Sequence, residues 1–145
     1  MQERDLPFVL EIERLSFPNP WQESSFHGEI ANLHISYPSV IIYRPQDKII
    51  GYIIFWLVQE EAQISNLAVH PDFKRLGIGD AVLEQVLTIM RKMDAKQVIL
   101  EVRPSNLAAR TLYEKKGFNL LGFRRGYYQN PPEDALVMSK NLAHS

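Results

Sequence analysis

From Ala62 to Val102 the chain passes from a β-type run, "AQISNLAV", through the turn "HPDFKRLGIG", into a long apolar stripe at helical spacing, and out into a second β-type run, "QVILEV". No other feature constrains the fold as much. A strand, a helix and a strand in this order predict a right-handed crossover between two parallel strands of one sheet. The stripe is Val82, Val86, Ile89, Met90 and Met93, which fits a helix of about four turns. "QVILEV" is nearly all apolar, the pattern of a strand covered on both faces.

The flanking segments extend that sheet. Asp5 as N-cap and Pro7 in the first turn start a helix marked by Phe8, Ile12 and Leu15, and "FPNPW" ends it. A short helix over 24–31 puts Phe26 and Ile30 on one face. "SVIIYRPQDKIIGYIIFWLV" predicts two strands joined as a hairpin, with Tyr52 and Trp56 in the core. "SNLAARTLYEKKGF" reads as a helix capped by Ser105 or Asn106 and closed by Gly117. "NLLGFRRGYY" and "DALVMSKNL" are two more strands around "QNPPE". The predicted order is α, α, β, β, β, α, β, α, β, β, an α/β fold with a mixed central sheet and helices on both faces.

Composition then narrows the chemistry. A chain of 145 residues, 46% of them apolar, suits one domain over residues 1–145. Lys and Arg number 16 against 17 Asp and Glu, a net charge of -1, so no global attraction draws the chain to nucleic acid or to an anionic membrane. Neither partner is expected, and the chain is expected to be a monomer. The absence of cysteine excludes disulfides, thiolate metal sites and a cysteine nucleophile. "MQERDLPFVLEIE" lacks the apolar run of a signal peptide and no stretch reaches membrane-spanning length, so a cytoplasmic protein is expected. His27, His34, His70 and His144 share no metal-ligand spacing and read as surface or turn residues, with no metal implied.

The turn "KRLGIG" carries the first chemical signal. Gly77 can serve only to let the chain turn at positive φ. The same loop also follows a strand and opens a long helix, so free N–H groups and the positive dipole end converge beside Lys74 and Arg75, which suits a phosphate. It is neither a P-loop, lacking Gly-Lys-Ser/Thr, nor a dinucleotide motif, since position 82 is Val.

The loop resembles the acyl-coenzyme A pyrophosphate loop of the GNAT acetyltransferase superfamily, Gln/Arg-x-x-Gly-x-Gly/Ala, with Lys74 at the first position. "ISNLAVHPDFKRLGIG", "LEVRPSNLAARTLYEKKGF", "RRGYYQNPPEDALVM" and "FPNPW" are together similar to the RimI branch, the ribosomal-protein alanine N-acetyltransferases. The likeness runs from about Asp5 to Leu142. It implies a GNAT fold in which the "NLAV" and "QVILEV" strands splay apart, with acetyl-CoA as co-substrate. Backbone groups of Leu67, Ala68 and Val69 would meet the acetyl and pantetheine amides as an added strand does. Arg75, Leu76, Gly77, Ile78, Gly79 and Asp80 would wrap the pyrophosphate, with the Asp80 carboxylate turned to solvent, away from a like charge. Leu76 stands where the family often has a basic residue. Asn106 would add a coenzyme A contact. Members normally open with a short strand before the "DLP" helix, whereas only "MQER" precedes Asp5; a stub or a lost longer start implies a more exposed sheet edge.

The resemblance also assigns roles. Glu101 would be the general base, acting through water, and Tyr113 the general acid toward the leaving thiolate. Trp21, Tyr127 and Tyr128 would flank an incoming protein N-terminus, with Arg124 and Arg125 orienting that wall through Glu133 or Asp134. By residue chemistry alone, Glu101 reads first as an ion-pair partner of Arg103 or of a helix N-terminus, and Tyr113 as a core aromatic. The implied activity is acetylation of a protein α-amine, such as the terminal alanine of a ribosomal protein like S18. Acetylation of a small amine or a lysine side chain, and a silent acetyl-CoA-binding module, are the alternatives; a nucleotide-binding domain lacks its motif.

Overall fold

The computed structural model describes every residue except Leu33, Pro45, Asn130, His144 and Ser145, so the reading of His144 lies outside the described residues. The elements follow the predicted order: α1 (Leu6–Ser16), α2 (Glu23–Ala31), β1 (Ser36–Tyr43), β2 (Lys48–Val58), β3 (Glu61–Val69), α3 (Ile78–Lys92), β4 (Gln97–Val102), α4 (Leu107–Lys115), β5 (Asn119–Tyr128) and β6 (Glu133–Asn141). Short 3₁₀ turns at Glu3–Asp5 and Pro71–Phe73 precede α1 and follow β3. The six strands form one mixed sheet in the order β1-β2-β3-β4-β6-β5. Its parallel ladder runs from Glu61↔Gln97 to Ile64↔Leu100 and stops there, although β3 continues to Val69 and β4 to Val102. The parallel pairing is what the crossover predicts, and its early end fits the splayed pair that the resemblance implies.

The chain divides into two compact units, Met1–Trp56 with Ser65–Val82, and Leu57–Ile64 with Leu83–Ser145. In the first, the core is Leu6, Val9, Ile12, Phe26, Tyr52, Ile54 and Ala68, with Trp21, Ile30 and Trp56 packed partly buried against it. Pro7 sits in the first turn of α1 as expected, but Phe8 and Leu15 are exposed, at 53% and 43%. The inward face of α1 is Leu6, Val9, Ile12 and Glu13 instead. One helical step is about 100°, so Phe8 and Leu15 flank this stripe rather than join it. Asp5 stands at the N-cap position without capping through its side chain; its carboxylate takes the Gln2 amide at 2.7 Å. The edge strand β1 receives one further bond, from the Met1 amino group to Pro38 O at 3.1 Å.

In the second unit α3 buries Leu83, Val86, Leu87 and Met90, while Ile89 is 41% exposed. The predicted stripe was therefore rotated, because the apolar residues of this helix are wide enough in arc to fit two faces. Val98, Leu100 and Val102 of β4 are buried, as are Phe118 before β5 and Ala135 and Met138 of β6. Asn106 caps α4, its Oδ1 accepting the Ala109 N–H at 3.2 Å, and Gly117 follows the helix at φ +92° as the sequence implies. β5 is exposed along almost its whole length, with Leu120, Leu121 and Phe123 each more than half accessible. Its register to β6 slips between Leu120 and Gly122 and again between Arg124 and Tyr128.

Candidate active site

Each unit carries part of the predicted machinery. In the first, β3 delivers Leu67, Ala68 and Val69 beyond the end of the parallel ladder. Gly51 of β2 lets this segment come close, since a Cβ there would stand 2.5 Å from Ala68 O. Leu67 donates its N–H to Asn66 Oδ1 at 3.1 Å, so that backbone group is already engaged.

After the 3₁₀ turn, which His70 caps by accepting the Asp72 N–H on Nδ1, the loop from Lys74 to Gly77 is exposed. Arg75 and Gly77 both take positive φ, +66° and +76°. The first is strained for a side chain, the second free for glycine. A Cβ at Gly77 would meet nothing within 4 Å, so the loop presents open backbone where α3 begins and its dipole is positive. These features fit a diphosphate. Asp80 departs from its expected place: the residue is only partly exposed and its Oδ2 is shielded from solvent. A carboxylate in the first turn of a helix is favoured by the positive end of the dipole.

Substituting Gly77 by Val is expected to weaken coenzyme A binding at least about tenfold. The new side chain strains a left-handed residue by about 1–2 kcal/mol and projects into the open face. Calorimetry with coenzyme A on a variant with unchanged circular dichroism checks it, and undiminished affinity would reduce the loop to a turn.

In the second unit β4 presents Glu101, opposite Val137 of β6, with 14% of its side chain exposed. It pairs with neither Arg103 nor a helix end. Its Oε1 accepts from Arg124 Nη1 at 2.8 Å, and Arg124 lies over the Tyr127 ring, 4.5 Å from its centroid. The hydrogen bond to Glu101 and its charge hold the guanidinium above its ordinary value. Burial, then a hydrogen bond to the same carboxylate, pushes the Tyr127 phenol up. Tyr127 and Tyr128 meet edge to face at 4.9 Å, so the structure gathers Glu101, Arg124, Tyr127 and Tyr128 within this unit. Trp21 belongs to the first unit and lies against Phe26 at 5.2 Å.

The arginine assignments in this wall need correction. Arg124 serves Glu101, and the residue that grips Glu133 is Arg103, at 3.3 Å. Arg103 also donates to Gln129 O at 2.7 Å and Pro131 O at 2.8 Å and covers the Tyr128 ring at 4.4 Å. Glu133 takes both the hydroxyl and the N–H of Ser105 at 2.8 Å. The Ser105 hydroxyl, with its amide and Arg103 adding to it, holds the Glu133 carboxyl below its ordinary range despite burial. Asp134 instead accepts the Gly126 N–H at 2.8 Å. A planar fork of five donors suits a loop whose acceptors are carbonyls, which Lys in this place would not match.

Tyr113 of α4 is 7% exposed and packs on Phe118 at 5.6 Å. Burial pushes its phenol up to about 12, so it stays protonated at any ordinary pH. Asn106 commits its oxygen to the α4 cap, and its Nδ2 carries the donors a ligand oxygen would take. No cluster of three or more His, Asp or Glu able to hold a metal occurs among the described residues. His27 faces Glu3 at 2.6 Å, and His34 is exposed. No described helix is long and apolar enough to cross a membrane.

Sequence reasoning did not single out Glu13 or Asn66, which form a buried polar cluster in the first unit. Glu13 is 1% exposed and takes hydrogen bonds from Tyr52 Oη, from Trp21 N at 2.8 Å and from Asn66 Nδ2 at 3.0 Å. A carboxylate falling among Leu6, Val9 and Ile12 on one helix face was the available signal.

Comparison with known proteins gives the family. Residues 6–118 match the Acetyltransferase (GNAT) family, a stretch that runs through both units. The chain is 34% identical over 141 residues to the [Ribosomal protein bS18]-alanine N-acetyltransferase of Escherichia coli K12, covering 96% of this chain and 93% of that one. The crystal structure of the ribosomal-protein-S18-alanine N-acetyltransferase from Escherichia coli superposes with a TM-score of 0.89 at 33% identity, over 100% of this chain and 92% of the other. Arabidopsis thaliana Naa50, solved with the bisubstrate analogue CoA-Ac-MVNAL, gives 0.82 at 25% identity over 97% and 94%. With its splayed parallel strands, its open glycine turn at the start of α3 and this full-length similarity, the chain belongs to the GNAT acetyltransferase family.

Proposed function

We propose that this protein moves the acetyl group of acetyl-CoA onto the α-amino group of a protein N-terminus, the terminal alanine of a bS18-like ribosomal protein. The reading is carried by similarity to bS18-alanine N-acetyltransferase along more than nine-tenths of both chains. It also assigns the roles. Backbone groups of Leu67, Ala68 and Val69 receive the acetyl and pantetheine portion, Arg75 to Asp80 the pyrophosphate, and Asn106 a further part of coenzyme A. Glu101 takes a proton from the amine through water, and Tyr113 donates to the departing sulfur. Trp21, Tyr127 and Tyr128 receive the acceptor peptide. The chain works as a single cytoplasmic monomer over residues 1–145, without nucleic acid or membrane.

The acceptor class follows from acid–base chemistry. An amine attacks only when neutral, and a protein α-amine has a pKa of about 7.7–8.0 against about 10.4 for lysine. Near pH 7 roughly a tenth of the first is neutral, and well under a thousandth of the second. One carboxylate base is enough for the α-amine.

Hexapeptides that begin with a free alanine are therefore expected to be acetylated at least about a hundredfold faster than peptides with a blocked terminus and an internal lysine. Mass spectrometry after incubation with acetyl-CoA locates the acetyl group. Equal rates on the two series would overturn the N-terminal assignment.

A further inference from the structure

The buried cluster around Glu13 has no part in the roles assigned above, yet its connections reach two of them. Glu13 is a carboxylate with 1% exposure on a helix face that is otherwise apolar. Such a group disfavours folding unless its oxygens are fully satisfied, and an apolar residue of similar volume often stabilises as well or better. Stability alone therefore does not account for a carboxylate here.

Its partners define what the position requires. Oε1 accepts from the Tyr52 hydroxyl and from Asn66 Nδ2, and Oε2 accepts from the Trp21 N–H. Asn66 Nδ2 also lies 3.0 Å from Tyr52 Oη. The Trp21 N–H and the Asn66 N–H₂ can only donate, so both oxygens must accept even though burial pushes this carboxyl up, and no glutamine offers two acceptor oxygens. A glutamine can keep its carbonyl toward Tyr52 and Asn66, but then it turns an amide N–H₂ against the Trp21 N–H.

The geometry leads in two directions from this one group. Toward the "FPNPW" segment, Oε2 fixes the backbone at Trp21, whose ring leans on Phe26. Toward β3, Oε1 and Tyr52 hold the Asn66 amide in a single orientation, with its N–H₂ inward and its Oδ1 on the Leu67 N–H at 3.1 Å. That bond engages the Leu67 N–H at the start of Leu67–Val69.

We infer that Glu13 is a positioning residue that sets, from one buried carboxylate, both the backbone at Trp21 on the acceptor side and the Asn66–Leu67 orientation on the acetyl-CoA side. This rests on the proposed roles of Trp21 and Leu67–Val69. It also separates them, because the two oxygens serve different ligands.

The test uses the full chain as wild type, Glu13→Gln, Asn66→Ala and Tyr52→Phe, with steady-state kinetics on the acceptor peptide, calorimetry with coenzyme A, and amide hydrogen exchange. Glu13→Gln is expected to speed exchange at Trp21 and to raise the KM for the acceptor about tenfold, with kcat and coenzyme A affinity within about threefold of wild type, since only the Oε2 bond is lost. Asn66→Ala is expected to show the converse, about tenfold weaker coenzyme A binding with the acceptor KM little changed. A Glu13→Gln protein whose melting temperature moves while exchange at Trp21 and both ligand parameters stay put would overturn the inference and leave Glu13 purely structural. If Glu13→Gln does not fold, Tyr52→Phe decides: it keeps the ring packing but removes one donor to Oε1, and unchanged coenzyme A affinity and acceptor KM would equally overturn it. Kinetics are run on whichever amine the wild type acetylates. A wild type that prefers lysine thus refutes the proposed acceptor, while the Trp21 exchange and the split between the two variants still judge Glu13.

Discussion

Glu101→Gln is expected to lower kcat/KM for an alanine-terminated peptide by about a hundred- to ten-thousandfold at pH 7, the usual contribution of a general base. Part of that loss returns as the pH approaches 9. The reason is that solvent then deprotonates the α-amine, whose pKa is about 7.7–8.0, and the missing base has less to do. The structure adds a second element to this expectation. Glu101 is held on Oε1 by Arg124 at 2.8 Å, so the amide that replaces it still meets the guanidinium with its carbonyl oxygen and the local geometry persists. The recovery in alkali therefore reads the proton transfer rather than a collapsed site. A pH–rate series from 6.5 to 9.5 on both proteins checks it, and a loss of the same factor at every pH would remove Glu101 from the role of base.

Tyr113→Phe is expected to lose a comparable factor, again about a hundred- to ten-thousandfold, but with no recovery at any pH. The sign follows from burial. The folded phenol is pushed up to about 12, so below that value it retains the proton it would give to sulfur, and between pH 7 and 10 its protonation does not change. The ratio of wild-type to variant rate should then be flat across that range, in contrast to the Glu101→Gln ratio, which falls. Because Tyr113 is 7% exposed and packs on Phe118, the phenylalanine ring keeps the core filled. Full turnover in the variant would return Tyr113 to the status of a core aromatic. Acetyl-CoA affinity measured by calorimetry should be preserved in both variants.

The order of helices and strands was legible because period-2 and period-3.6 patterns are strong over these lengths, and because Asn106, Gly117 and Pro7 carry start and stop signals that act locally. What periodicity could not provide was the choice between two adjacent faces of one helix. On α1 the inward face includes Glu13, a residue that a hydrophobic pattern assigns to water and whose donors stand on β2 and β3, while Phe8 and Leu15 lie outside. On α3, Leu83 and Leu87 rather than Ile89 face inward, and the sequence carries no marker of that choice. Ion pairing was legible only as a composition of charges. Arg124, Arg125, Glu133 and Asp134 stand close together in sequence, yet Glu101 of β4 and Arg103 just after it, earlier in the chain, take Arg124 and Glu133 as partners. The positive φ at Gly77 could be read locally, because only the turn itself demands it.

The outer strand β5 has a practical consequence for anyone who handles this protein. A strand at the rim of a sheet with three large apolar side chains in the open is a template for uncontrolled self-association, and here it is blunted by two breaks in register and by the paired positive charges of Arg124 and Arg125. The guanidinium of Arg124 therefore stands on this edge and on Glu101 at once, and the specific activity of any Arg124 variant is to be read beside light scattering on the same sample.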